Sequence, residues 1–84
     1  MSQSFQMTVS ATPQLVGRVT EGSMSIFVHA GGTMYFGGSN TVSATTGFRL
    51  DKDDKYSTII PEGNEVWVMT DVDGPTLYVF ATTI

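Results

Sequence analysis

The chain predicts a small all-β fold, an antiparallel β-sandwich or barrel-like body of seven to eight short strands. Three observations predict it. No stretch repeats apolar residues at i, i+3, i+4 and i+7 over the length of a stable helix. Thr, Val, Ser, Gly and aromatic residues dominate, while the helix formers Ala, Leu, Lys and Glu are sparse. Short β-rich runs are bounded by turn residues at spacings of about ten, the pattern of a sandwich or barrel.

Taken in order, the first strand is expected near Phe5 to Ser10, with Phe5, Met7 and Val9 on one face. Ala11-Thr12-Pro13 ends it, because proline cannot donate to a central ladder. A second strand runs from Leu15 to Thr20 and stops at Glu21-Gly22. A third runs from Met24 to His29, with Met24, Ile26 and Val28 alternating against Ser25, Phe27 and His29. Ala30-Gly31-Gly32 is a turn, and Thr33 to Phe36 is a short fourth strand, so residues 15–36 read as a meander joined by glycine turns.

Gly37-Gly38-Ser39-Asn40 is a corner, followed by an extended crossing to Thr45. Thr46-Gly47-Phe48-Arg49-Leu50 is expected to re-enter the core through Phe48 and Leu50. Asp51 to Lys55 is a charged loop, Tyr56 to Ile60 a strand, and Pro61-Glu62-Gly63-Asn64 a turn. Glu65 to Thr70 and Thr76 to Thr82 are the last two strands, separated by the turn Asp71 to Pro75. With no repeat, linker or low-complexity tail, residues 1–84 form one domain, with residues 1–10 as an N-terminal arm or edge strand.

The last two strands are apolar on both faces. One face of each can line the core, while Trp67, Met69, Tyr78 and Phe80 point the other way. A free sheet face is ordinarily polar. If the two strands pair as a hairpin, these four side chains form one aromatic patch of the residue types enriched in interface cores. Phe5 and Met7 of the first strand are candidates for the same kind of contact.

Composition narrows the function classes. At 84 residues the chain buries only roughly 60–65% of its extended surface, so its core is small. Disulfides, a metal or oligomerisation usually compensate. Cysteine is absent and there is one histidine, His29, which leaves neither a disulfide nor a zinc ligand set. Oligomerisation is the remaining remedy. Charged residues make up 14% of the chain, against an ordinary ~25%, and a surface poor in solvated groups suits a partner's cover. The net charge is −4 with four Lys and Arg in all, so a phosphate-neutralising patch, and with it nucleic acid, is not expected. No basic segment precedes an apolar run at the N-terminus, and no apolar run reaches a membrane span, so neither a secretory leader nor a membrane partner is expected.

No catalytic residue, cofactor or metal is expected. His29 is the one side chain able to act as base for a serine or threonine nucleophile, and it sits at a strand end beside glycines, where a surface histidine is the simpler reading. Asp71-x-Asp73-Gly74 opens like a calcium loop, but Thr82 falls where that loop needs its twelfth-position carboxylate, and Pro75 falls at the third ligand position. Asp51, Asp53 and Asp54 are interleaved with Lys52 and Lys55. Both segments read as solvated turns in which Asp bonds its own backbone. Trp67, Tyr35 and Tyr78 are alternative candidates for stacking on sugar rings, with Asn64, Asp71 and Asp73 near Trp67 as polar neighbours.

The run Tyr35-Phe36-Gly37-Gly38-Ser39-Asn40-Thr41-Val42, followed by Thr46-Gly47-Phe48-Arg49-Leu50, resembles a motif of small structural proteins of tailed-bacteriophage virions. There an aromatic-aliphatic pair precedes Gly-Gly-Ser, and Gly-Phe/Tyr-x-Leu follows. Glu62-Gly63-x-Glu65-Val66-Trp67 and Pro75-Thr76-Leu77-Tyr78-Val79 continue the likeness, which covers about half the chain, from Tyr35 onward. The charged loop Asp51–Lys55 and the first 30 residues depart from it. The resemblance implies a non-enzymatic β-sandwich of the capsid decoration (cement) type, made in the host cytoplasm and carried on the virion. Its implied partners are the major capsid protein and copies of itself, a trimer being favoured. Gly37, Gly38, Ser39, Gly47 and Phe48 are its corner motif. The alternatives are a carbohydrate- or receptor-binding module of a fibre, and a head–tail accessory protein.

Overall fold

A computed structural model describes residues 2–72 and 74–84; Asp73, in the expected turn after Thr70, lies outside them. Eight strands carry the described residues: β1 (Ser2–Thr8), β2 (Gln14–Arg18), β3 (Met24–Ala30), β4 (Met34–Gly37), β5 (Phe48–Leu50), β6 (Lys55–Ile60), β7 (Glu65–Met69) and β8 (Thr76–Thr83). They form two four-stranded antiparallel sheets, a front sheet ordered β1-β8-β3-β6 and a back sheet ordered β2-β7-β4-β5. The all-β sandwich expected from composition and turn spacing is therefore what forms.

The connectivity differs from the expected meander. β2, β3 and β4 pair with β7, β6 and β5, not with one another. First pairs with last, second with seventh, third with sixth, fourth with fifth, so the chain is one long hairpin folded over three times. Hydrogen bonds continue the ribbon through its bends. Val9 N–H donates to the Pro75 carbonyl and Thr70 N–H to that of Ser10 at the first; Val19 N–H donates to that of Asn64 and Gly63 N–H to that of Val19 at the second. At the third, Ala30 N–H donates to the Asp54 carbonyl and Asp53 N–H to that of Ala30. The bends carry apolar side chains, and Val9, Val19 and Ala30 are buried there. This is the strand order of a jelly roll, which is built from two Greek keys. Period-two alternation says which face a side chain takes but not which strand lies beside it, and that is why a meander looked adequate.

The core lies between the sheets. Ile26, Val28, Leu77, Val79 and Ala81 of the front sheet meet Met34, Leu50 and Val68 of the back sheet, with Val16 and Ile60 beside them. Thr70 is fully buried, and its Oγ1 donates to the Thr33 carbonyl at 2.7 Å, which satisfies a hydroxyl that would otherwise be costly inside. Residues 2–8 are an edge strand. β1 is paired with the chain's own β8 along its whole length, from Ser2↔Thr82 to Thr8↔Thr76, and is not extended as an arm.

Candidate contact surface

The register fixes which side chains leave the core. Val28 and Val79 point inward, so their neighbours Phe27, His29, Tyr78 and Phe80 stand on the outer face of the front sheet. Three rows cross that face. Ser4, Phe80, Phe27 and Ser57 form one, Gln6, Tyr78, His29 and Lys55 the next, and Ser2, Thr82, Ser25 and Ile59 the third. An aromatic stripe thus runs down the two central strands, flanked by polar side chains on both edge strands and by Ile59 of β6. The Phe27 and Phe80 rings lie 6.0 Å apart and those of His29 and Tyr78 5.5 Å apart, both pairs tilted, a geometry that suits ring quadrupoles. Phe27 and Phe80 are each 46% exposed and Ile59 is 61% exposed. Phe27, Tyr78 and Phe80, with Gln6 and Ser57 of the flanking edge strands, line an open trough of about 750 Å³. Buried in this face, His29 Nε2 lies 3.5 Å from Asp53 Oδ1 without reaching a hydrogen bond.

The patch expected from a C-terminal hairpin is not assembled. β7 and β8 belong to different sheets, so Trp67 and Met69 are separated from Tyr78 and Phe80 by the thickness of the sandwich. Tyr78 and Phe80 belong to the aromatic stripe. Trp67 and Met69 are half-buried on the outer face of the back sheet, where Trp67 Nε1 donates to Glu65 Oε1 at 2.7 Å and lies beside Leu15. Phe5 and Met7 point inward and pack half-buried against the core, so they are not part of the outer face. Phe27 and Ile59 were missing from the expected set. The alternation in Met24–His29 already turned Phe27 outward, so that signal was present.

On the back sheet the corner motif has a definite job. Residues 38–47 do not cross in an extended path. They fold back in turns closed by Val42 N–H to the Ser39 carbonyl and Gly47 N–H to that of Ser43. The loop lays Val42 over the sheet and covers Tyr35, leaving each 7% exposed. A Cβ on Gly37 would lie 2.8 Å from the Val42 side chain, and one on Gly47 would lie 2.7 Å from Tyr35 Cβ and 2.9 Å from the Ser43 carbonyl oxygen. These two glycines are there for close approach. Gly38 has open space around it, and Ser39 Oγ shares a hydrogen bond with Thr41 Oγ1 at 2.7 Å. Phe48 does not enter the core; it is 53% exposed on the edge strand β5, its ring 5.0 Å from Tyr56 of β6. Leu50 is buried as expected.

These positions also separate the sugar-stacking candidates. Tyr35 is buried beneath the loop with its hydroxyl 3.4 Å from Asp71 Oδ2, and Tyr78 is on the opposite sheet from Trp67. The back sheet's charges are tied to one another. Arg18 Nε donates to Glu65 Oε2 at 2.8 Å, and this bond, with that from Trp67, holds the Glu65 carboxyl below its ordinary range. Arg49 Nε donates to Asp51 Oδ1 at 2.8 Å, and that carboxylate holds the guanidinium above its usual value. In the loop 51–54, Asp54 Oδ2 accepts from Asp51 N–H at 2.8 Å. Among the described residues no three His, Cys, Asp or Glu side chains come together as a metal site would require.

No family model matches the sequence, and no curated protein does. Solved structures of similar shape exist. One is from work on Bacillus endospore appendages described as a novel family of disulfide-linked pili; it is 12% identical, covers all of this chain and 86% of the other, and superposes with a TM-score of 0.67. Another, a de novo designed double-stranded β-helix, is 17% identical over 93% of this chain and 95% of the other, with a TM-score of 0.59. At these identities the likeness concerns the fold, and it agrees with the jelly-roll order of the strands.

Proposed function

We propose that this chain is a non-enzymatic structural subunit that works by seating its surfaces against other molecules in a large assembly. The observation that carries this reading is the aromatic stripe of the front sheet, where Phe27, Tyr78, Phe80 and Ile59 stand exposed on one face. In a solitary domain that face is ordinarily polar, and exposed apolar surface of this kind marks contact sites. The virion resemblance of residues 35–50 supports a capsid decoration protein that sits on the major capsid protein lattice and reinforces the head, as a homo-oligomer. A second reading, a subunit of a surface appendage, is favoured by the whole-chain likeness to the endospore appendage structure. With no cysteine in the sequence, such an appendage would be held together without disulfides.

The test is the double substitution Phe27→Ser with Phe80→Ser, followed by sedimentation of the protein alone and with capsid shells. Both residues are about half exposed, so the fold should lose no more than about 1 kcal/mol. Shell occupancy should fall at least tenfold. A variant that occupies shells like the parent would refute the contact role of this face.

A further inference from the structure

We propose that copies of this chain join edge to edge through the front sheet, β6 of one copy pairing antiparallel with β1 of the next. The inference rests on the assembly reading and names the interface through which the copies join.

Four strand edges are open to a neighbour, and they are unequally protected. In the back sheet, β2 is interrupted by a register shift between Leu15 and Gly17 and ends in Arg18, while β5 is three residues long and carries Arg49. Bulges, charges and short length are the ordinary means of blocking an edge. The front sheet has no bulge and no short edge strand, and a single charge at one strand end. β1 is seven residues with no charge or proline, β6 is six residues whose one charge is Lys55 at its start, and both have unbroken registers with their inner neighbours.

The direction of the backbone groups follows from the bonds at the strand ends. Ala30 N–H donates to the Asp54 carbonyl, so the residues of β6 bonded to β3 are Tyr56, Thr58 and Ile60. Lys55, Ser57 and Ile59 therefore turn their N–H and C=O groups away from the sheet. Val9 N–H donates to the Pro75 carbonyl, so Met7, Phe5 and Gln3 bond β8, and Ser4, Gln6 and Thr8 turn outward at the other edge. On both edges the outward-bonding residues carry their side chains on the outer face.

That coincidence makes the two edges complementary. Partners in an antiparallel hydrogen-bonded pair share one face, so the outer faces of two joined copies would be continuous. The strand directions agree as well. Four antiparallel strands place β1 and β6 in opposite senses, and a translated copy therefore continues the alternation. In the register of greatest overlap, Ser57 pairs with Gln6 of the second copy and Ile59 with Ser4. On the inner face Tyr56 then meets Met7, and Thr58 meets Phe5. Tyr56 is 44% exposed and Met7 and Phe5 are half-buried, so joining covers apolar surface at both open rims. An interface that uses two different edges is heterologous, and it builds a ring or an open row according to the rotation between copies.

Ser57→Pro and Gln6→Pro test this, because each removes an outward N–H and leaves the bonds within the sheet. Thr58→Lys, an inward-pointing charge at the rim, serves as a second block of β6 should a proline unfold the domain. Melting curves first establish that each variant folds; analytical ultracentrifugation then reads mass against concentration. The parent should grow beyond dimers. Each edge variant alone should remain monomeric, its self-association constant lowered at least tenfold. An equal mixture of the β6 and β1 variants should form dimers and stop, since one good edge of each kind remains. If Gln6→Pro associates like the parent while Ser57→Pro does not, β6 pairs with itself and the proposal is overturned. If both associate like the parent, the edges are not the interface, although the assembly reading stands. A parent that stays monomeric and ignores shells overturns both.

Discussion

Glu65 shows how much one side chain can organise. It accepts from Arg18 of β2 through one oxygen and from Trp67 two positions along its own strand through the other. Both bonds favour the ionised carboxylate and lower its pKa, the arginine more than the indole. A carboxyl whose folded-state pKa is depressed adds stability above its unfolded value, and loses it as the pH falls through the folded one. The ordinary value is 4.5, so the contribution should be complete at pH 6 and fade below about 4.5. Melting temperatures of the parent and Glu65→Gln measured from pH 6 to pH 3 should converge at the acid end. A gap of constant size across that range would show that the carboxylate's charge plays no part.

At the level of the element, the loop between β4 and β5 acts as a clamp. It crosses back over its own sheet, and two glycines let it lie close enough to bury Val42 and Tyr35. Gly47→Ala must displace either Tyr35 or the Ser43 carbonyl, and overpacking of this kind costs about 1–3 kcal/mol. Gly38→Ala, with open space around it, should stay within about 0.5 kcal/mol of the parent. Urea unfolding midpoints compare the two directly, and equal midpoints would show that the loop lifts away without cost. The Gly-Gly-Ser corner was legible in the sequence as a corner. Its return path was not, because the turns are made by Ser and Thr groups of the loop, a composition that also suits an extended strand. Phe48 misled for a similar reason. Its alternation with Leu50 places it on the inner face, and only the position of β5 at a sheet edge leaves it half uncovered against Tyr56. Strand extents were read to within a few residues almost everywhere, since turn residues and period-two alternation are local signals. The aromatic stripe was half read: Tyr78 and Phe80 were visible as outward residues, but their neighbours Phe27 and His29 come from a strand about fifty positions away.

At the scale of the molecule, the nested pairing decides how folding proceeds. Among the described residues only β4 and β5 pair with a chain neighbour, and each further ladder closes around the one before. Long-range pairing spends loop entropy before contacts reward it, so refolding should take roughly milliseconds to seconds, as for other β-sandwiches. Stopped-flow fluorescence of Trp67 can follow it, and a microsecond phase carrying the full amplitude would contradict the nested order. The exposed area of 4918 Å² is close to the roughly 4,900 Å² expected for a monomer of this mass, and the radius of gyration of 11.8 Å matches a compact body of about this length. The amount of surface is thus ordinary. Its distribution is what the assembly proposal rests on, with apolar rings gathered on one sheet and strands without a bulge at that sheet's margins.

The nested order also places Ser2 beside Thr82, their hydroxyls 2.8 Å apart, in the row next to Phe80 and Phe27. An affinity tag or fluorescent protein attached before Ser2 or after Thr82 would emerge at the same rim and overhang the rings. On the assembly reading, bulky fusions at either of these ends would block the rings by shadowing, whereas a label carried at Asn40, exposed in the loop over the back sheet, would stand on the far side of the sandwich.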